Sequence, residues 1–302
     1  MYIADMHCDS LSRVSSESGL INEYNQSKLS PQLQFYAAFV PSSEESPEAR
    51  RKRLLRFLDI YIAEVARLKL VPVTNCHDLN FAKEFDRSSA LFSVEGGGGL
   101  FADSEELDTL YRCGMRVLGL CWESNELCAS AWEECDTGLT KDGRALALKA
   151  SEMGIILDLS HMSDRSASEV LELTPYPVIA THSNFREVCP SRRNLPRELA
   201  ERIVARGGVI GLNLCPDFLA VGRDATAEDI LRQVDYALEL FGDSNLGLGC
   251  DIDGTGGAYP VGISEKASIH DTLMNMLLKR YPHSTVEKIA GLNVIEFLKN
   301  NL

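Results

Sequence analysis

The 302-residue chain has no run of about 18 or more apolar residues, so no membrane-crossing helix is expected. Its nine cysteines are an odd number with no CxxC pair, a usage that suits reduced thiols in a cytosolic protein. Basic residues are the minority, 30 against 44 acidic ones, for a formal net charge of −14. That balance argues against nucleic acid, whose binding needs a basic patch that releases counterions. The one concentrated basic stretch, Arg50-Arg51-Lys52-Arg53, lies in a predicted helix and reads as a solvated face. The first residues, Met1-Tyr2-Ile3-Ala4-Asp5, have no basic segment followed by an apolar one, and the last, Lys299-Asn300-Asn301-Leu302, form no hydrophobic tail. A cytoplasmic protein with no membrane partner is the expectation. No low-complexity linker, repeat or composition break divides the chain, so residues 1–302 are taken as one domain.

Short apolar runs alternate with longer helical patterns. Predicted strands cover Tyr2–Ala4, Gln34–Val40, Ala90–Val94, Arg116–Leu120, Ile155–Leu159, Val178–Ala180, Val209–Leu214 and Leu246–Gly249. Between them, helices are predicted near 47–69, 104–113, 141–153, 163–173, 196–206 and 226–241. A last helix, ending near Leu298, is expected to start at a capping box, Ser284-Thr285-Val286-Glu287. Eight strands with intervening helices predict an α/β fold, a (β/α)8 barrel; the alternative is a doubly wound open sheet. Gly96–Gly99 reads as a tight loop at a pocket mouth, and residues 10–30 and 121–140 as further mouth loops.

Four of these strands end in metal-ligand residues. His7 and Asp9 form an H-x-D pair, whose members share one face of an extended chain. Glu95 closes Ala90–Val94, His161 follows Ile155–Ser160, and His182 follows Pro177–Thr181. In a parallel barrel the carboxyl ends of the strands meet on one face. Imidazole nitrogens and carboxylate oxygens there suit zinc or another borderline divalent ion. Two such ions can clamp a hydroxide and polarise a scissile carbonyl, with Glu95 able to bridge them. Asp251 and Asp253 follow the last strand, where an acid can carry a proton from water to a leaving amine. Arg193, eleven residues past His182, offers a guanidinium for a substrate carboxylate. His77, His270 and His283 read as ordinary exposed or capping histidines.

Taken in order, His7-Cys8-Asp9, Val94-Glu95-Gly96-Gly97, Gly114–Leu118, Asp158–His161, Thr181–Asn184, Arg193–Pro196, Gly207–Gly211 and Gly249–Gly254 resemble the membrane (renal-type) dipeptidase family of metal-dependent amidohydrolases. The resemblance implies a zinc dipeptidase with two Zn2+ ions in a (β/α)8 barrel. It implies His7 and Asp9 on one zinc, His161 and His182 on the other, and Glu95 bridging both. It also implies Asp251 for proton transfer, Arg193 for the dipeptide carboxylate, an L-Xaa-D-Xaa preference and a homodimer.

The chain departs from the family pattern at one place. The family usually has a histidine, in a Thr-His-x-x-Asn context, that steadies the tetrahedral oxyanion. Here the stretch is Cys121-Trp122-Glu123-Ser124-Asn125, with Trp122 in the histidine position and Asn125 retained for substrate binding. An indole N–H can donate one hydrogen bond but carries no charge. Losing an oxyanion donor costs roughly 100- to 1000-fold in rate. Two alternatives therefore stand beside the dipeptidase: an amide, ester or lactone hydrolase with a pocket remodelled by Trp122, and a metal-binding relative with weak or no turnover.

Overall fold

A computed structural model describes residues 1–16, 31–41, 46–263 and 269–302. Nine parallel strands run through it: β1 Ala4–Cys8, β2 Leu33–Phe39, β3 Val71–Pro72, β4 Ser89–Glu95, β5 Met115–Gly119, β6 Ile156–Asp158, β7 Val178–Ile179, β8 Ile210–Leu212 and β9 Leu246–Leu248. Eight of them follow one another in the order β7-β6-β5-β4-β2-β1-β9-β8, and β3 pairs with the start of β4. The ring closes between β7 and β8, where Ala180 bridges Ile210 and Gly211 N–H donates to Ala180 O at 2.8 Å. The result is the predicted (β/α)8 barrel rather than an open sheet.

Strand alternation sorts the apolar residues into two layers. Ala4, Met6, Phe35, Leu91, Val117 and Ile156 belong to one buried cluster drawn from strand after strand, which is the barrel interior. Phe297 and Leu298 of the C-terminal helix, Asn293–Asn301, join it. The outward residues pack under the helices in the larger cluster. Continuing the inward register of β4 from Leu91 by twos gives Ser93 and then Glu95 at the strand's carboxyl end.

β1 needs a bulge to do the same. Asp5 pairs with Gln34 but Cys8 with Tyr36, so β1 carries one extra residue. Ala4 and Met6 face inward below the bulge; without it Cys8 would follow them and His7 would point out. With it, Cys8 packs in the outer cluster, and His7 and Asp9 enter the barrel mouth.

Several expectations need correction. The first strand runs through His7 rather than stopping at Ala4. Helices Cys76–Glu84 and Ile269–Arg280 carry no strong apolar periodicity in the sequence. The last helix is not continuous: His283–Glu287 follows Pro282 with no side-chain cap, and a π-helical turn at Lys288–Leu292 precedes Asn293–Asn301. Arg50 is not on a solvated face. It is buried, and its guanidinium pairs with Glu126, whose other oxygen accepts from Gly99 N–H. Arg51 donates to Gly99 O, so two of the four basic residues pin the glycine loop after β4. Of the expected mouth loop 10–30, residues 10–16 form a helix from Ser10 to Ser16, and 17–30 lie outside the described residues.

His270 is also corrected. It is buried, and its Nε2 lies 2.7 Å from an oxygen of Asp5, which is fully buried beneath the site. The other Asp5 oxygen accepts from His7 N–H and Cys250 N–H, so one carboxylate ties β1, the end of β9 and helix Ile269–Arg280 together. Burial pushes the Asp5 carboxyl up, but the bonds and charge of His270 and the Cys250 N–H outweigh it and hold it below its ordinary value. Removing one partner of such a pair strands a buried charge. The substitution His270→Leu is expected to cost about 3–5 kcal/mol in denaturant unfolding; a change under about 1 kcal/mol would contradict this role for the pair.

Candidate metal centre

All five predicted ligands meet at the carboxyl end of the barrel, and all are buried. Glu95 is the hub. Its Oε1 lies 2.8 Å from His161 Nε2 and 3.4 Å from His182 Nε2, and its Oε2 lies 3.5 Å from His7 Nε2. His7 Nε2 is also 3.5 Å from Asp9 Oδ2 and 3.9 Å from Asp251 Oδ1. The His7 and His182 rings stack at 3.6 Å, and the facing Nε2 atoms of His161 and His182 are 2.8 Å apart. Three triads close enough to hold a cation result here, Glu95–His161–His182, His7–Asp9–Glu95 and His7–His182–Asp251, with Glu95 shared by the first two.

The residues fit a divalent cation on three counts. Buried polar atoms are normally hydrogen-bonded, yet His7 Nε2, Asp9 Oδ1 and Glu95 Oε2 have no hydrogen-bond partner among the described residues. Three carboxylates, those of Asp9, Glu95 and Asp251, crowd together there. Burial, and then the charge of Asp9, push the Glu95 carboxyl up to about 8. Burial likewise raises Asp251, with His7 opposing and Asp9 adding to the shift. Burial also keeps His161 and His182 well below their ordinary value and so neutral, as ligands must be, with Arg193 and His7 adding to the effect.

Local backbone strain marks the same place. His161, Asp251 and Asp253 have φ of 70°, 57° and 67°, a left-handed conformation that non-glycine residues rarely adopt. Gly254 is glycine for a steric reason: a Cβ there would overlap the carboxylates of Asp251 and Asp9. Further hydrogen bonds orient the ligands. His182 Nδ1 contacts Thr181 Oγ1 at 2.8 Å, and that hydroxyl donates to Asp158. Asn213 Nδ2 donates to Asp251 Oδ2 at 3.1 Å.

Beside the ligands opens a cavity of about 270 Å3 bounded by Asp9, Glu95, His161, Asp251 and Asp253 on its polar side. A model of the membrane dipeptidase family, peptidase family M19, matches residues 7–301. The chain belongs to this family. Dipeptidase 3 of Mus musculus is 28% identical over 258 residues, which are 82% of this chain and 50% of that protein. Dipeptidase tcpJ of Claviceps purpurea is 30% identical over 70% of this chain and 51% of its own length. The chain thus spans about half the length of these curated relatives. Two solved structures are similar across the whole chain. An M19 metallopeptidase, dipeptidase AC, has a TM-score of 0.89 at 24% identity, covering 98% of that chain. A metallopeptidase from Rhodobacter sphaeroides, liganded with a phosphinate mimic of the dipeptide L-Ala-D-Ala, has a TM-score of 0.87 at 22% identity, covering 99% of that chain. At these identities the structural likeness shows the fold.

In this M19 chain three predicted substrate residues are placed differently from one another. Trp122 lines the cavity, its ring 6.1 Å from that of His161. Asn125 is not a cavity residue. Its amide donates to Leu120 O and accepts from Leu127 N–H and Cys128 N–H, so it shapes its own loop. Arg193 is buried behind the histidines rather than in the cavity wall. Its guanidinium donates to His161 Nδ1 at 3.2 Å, Ser183 Oγ at 2.9 Å and His182 O at 2.8 Å. The guanidinium expected to hold a substrate carboxylate lies, in this geometry, against two of the ligands. Sequence reasoning missed Asn213, Phe39, Trp132 and Phe218, because they belong to no motif. Phe39 carried a signal as the last residue of β2 on the ligand side of the barrel, and Trp132 lies in the expected mouth loop 121–140.

At neutral pH, Glu95 and His7, the latter raised well above its ordinary value by Glu95 and Asp9 against the effect of burial, are placed to hold protons that a cation must displace. Zinc added to chelator-treated protein at pH 7 is therefore expected to release protons. Calorimetry in two buffers of different ionisation enthalpy reads this as unequal heats; equal heats would contradict it.

Proposed function

We propose that this chain is a metal-dependent dipeptidase that binds two divalent cations, zinc by its donor set, and hydrolyses short peptides, L-Xaa-D-Xaa among them. The observation that carries the reading is the division of Glu95, one oxygen facing His161 and His182 and the other facing His7 and Asp9. Membership of the M19 family supports the reaction class, and the phosphinate dipeptide mimic on the Rhodobacter neighbour supports the L-D substrate. In this reading His7 and Asp9 hold one cation, and His161 and His182 the other. Bound there, the cations supply Lewis-acid polarisation of the scissile carbonyl and lower the pKa of water.

The chain's own groups do the rest. Asp251 is buried at the cavity with its carboxyl raised and one oxygen held by Asn213, which suits it to accept a proton and pass it to the leaving amine. Asp251 also offers that wall a carboxylate for a substrate ammonium, whereas Asp253 beside it is paired with Arg13 at 3.0 Å. Arg193 holds His161 and His182 in place from behind. Trp122 excludes water from the wall nearest His161 but offers no charge to the oxyanion.

A second reading rests on a specific observation. Among the described residues no lysine or arginine lines this cavity, and such a wall favours a substrate without a free carboxylate, an ester, lactone or amide.

A panel of L-L and L-D dipeptides, esters and lactones offered to the zinc-loaded protein separates the two. Dipeptide hydrolysis, abolished by chelator and restored by zinc, is the expected result; turnover of esters or lactones alone would replace the first reading with the second. Asp251→Asn is expected to lower kcat by roughly 100- to 10,000-fold while the bound zinc, counted by elemental analysis, stays the same. Trp122→His is expected to raise kcat for a small dipeptide, up to roughly 100-fold if the missing oxyanion donor limits the rate; an unchanged kcat would clear Trp122 of that limit.

A further inference from the structure

The cavity has two unlike walls. One is acidic, as described. The other is four aromatic rings in two pairs. Phe39, at the end of β2, meets Trp122 edge to face with centroids 5.1 Å apart. Trp132 leans on Phe218 at 5.9 Å. All four line the same space as Asp9, Glu95 and Asp251. They come from three separate stretches of chain: β2, the segment after β5, and the short 3-10 turn Pro216–Phe218.

The outer pair is held firmly, although Trp132 is 45% exposed. The loop carrying it is tied to the metal ligand His161, because Ala131 N–H donates to His161 O at 2.8 Å and Ser130 bridges Met162. Phe218 is buried, with the Arg193 guanidinium 5.5 Å from its ring centre. The indole so anchored lies at the rim of the cavity, where it can cover a side chain bound against Trp122 and Phe39.

We propose that this aromatic wall selects dipeptides that carry a bulky apolar side chain, of leucine or phenylalanine type, over those of alanine or acidic residues. The inference rests on the dipeptidase reading of the site and names its substrate class. The side chain lies against Trp122 and Phe39 within the cavity, with Trp132 and Phe218 covering it from the rim. The substrate ammonium faces Asp251. Acidic side chains are disfavoured because Asp9, Glu95 and Asp251 line the same space and, among the described residues, no lysine or arginine does. Burying one such side chain corresponds to roughly 10- to 100-fold in kcat/KM or affinity.

The composition supplies a direct readout. The chain has two tryptophans, Trp122 and Trp132, and both are in this wall. Emission excited selectively from tryptophan, apart from the nine tyrosines, therefore comes from this wall. The test compares the zinc-loaded protein and its Trp132→Ala and Trp132→Phe variants in two measurements. The first is kcat/KM on Leu-Leu, Phe-Leu, Ala-Ala and Ala-Asp in L-L and L-D forms. The second is tryptophan emission titrated with free leucine or free alanine, which cannot be hydrolysed.

The expected results are kcat/KM for the leucine and phenylalanine peptides roughly 10- to 100-fold above Ala-Ala, a ratio cut several-fold by Trp132→Ala and kept by Trp132→Phe, and an emission change with leucine well below the alanine concentration that gives it. Hydrolysis that favours Ala-Ala, or a ratio untouched by Trp132→Ala, overturns the selectivity while leaving the dipeptidase reading standing. If no dipeptide is hydrolysed, that reading falls and the emission titration decides: leucine-selective binding retains the apolar wall, and equal or absent responses overturn it.

Discussion

Buried carboxylates repel one another unless something positive lies among them, and this constraint governs the mouth of the barrel. Asp9, Glu95 and Asp251 are packed within reach of His7, with almost no solvent to screen them. Their orphaned atoms, and the raised Glu95 and Asp251, are what a set of ligands looks like to its own electrostatics. Strain accumulates in the same few residues. His161, Asp251 and Asp253 hold left-handed backbone, at about 1–3 kcal/mol each, and such conformations persist only where the surroundings over-determine them.

The fold's part is to bring those groups together at one end of the barrel. The inner apolar layer sets which way each strand alternates, so that climbing β4 by twos from Leu91 ends on Glu95. In β1 the same alternation would turn His7 outward, and the bulge after Asp5 corrects it. Asp5, held by His270, then anchors both the bulge and the end of β9, where Asp251 begins its turn. Arg193 fastens the two remaining histidines from behind. The backbone of His7 and the side chains of His161 and His182 are thus held from outside the cavity, which leaves the cavity face for water and substrate.

Much of this was legible in the residues alone. The barrel follows from eight apolar runs separated by helical patterns, and the five ligands from their shared position after strands. What escaped was anything decided by long-range partners. Arg50 reads as solvated because its neighbours in sequence are charged, yet its partner Glu126 is 76 residues away. His270 reads as exposed because its helix shows weak periodicity, yet Asp5 lies 265 residues away. Asn125 and Arg193 occupy their motif positions, but their hydrogen bonds go to loop backbone and to histidines, which no motif specifies. The aromatic wall joins four rings from unrelated segments, so only the folded chain reveals it.

The central claim is that Glu95 lies between two cation sites. Crystals of the zinc-loaded protein, measured on either side of the zinc absorption edge, test it most directly. The account predicts two anomalous peaks, one beside His7 and Asp9 and the other beside His161 and His182, each within bonding distance of a different oxygen of Glu95. A single peak, or peaks that avoid Glu95, would contradict it.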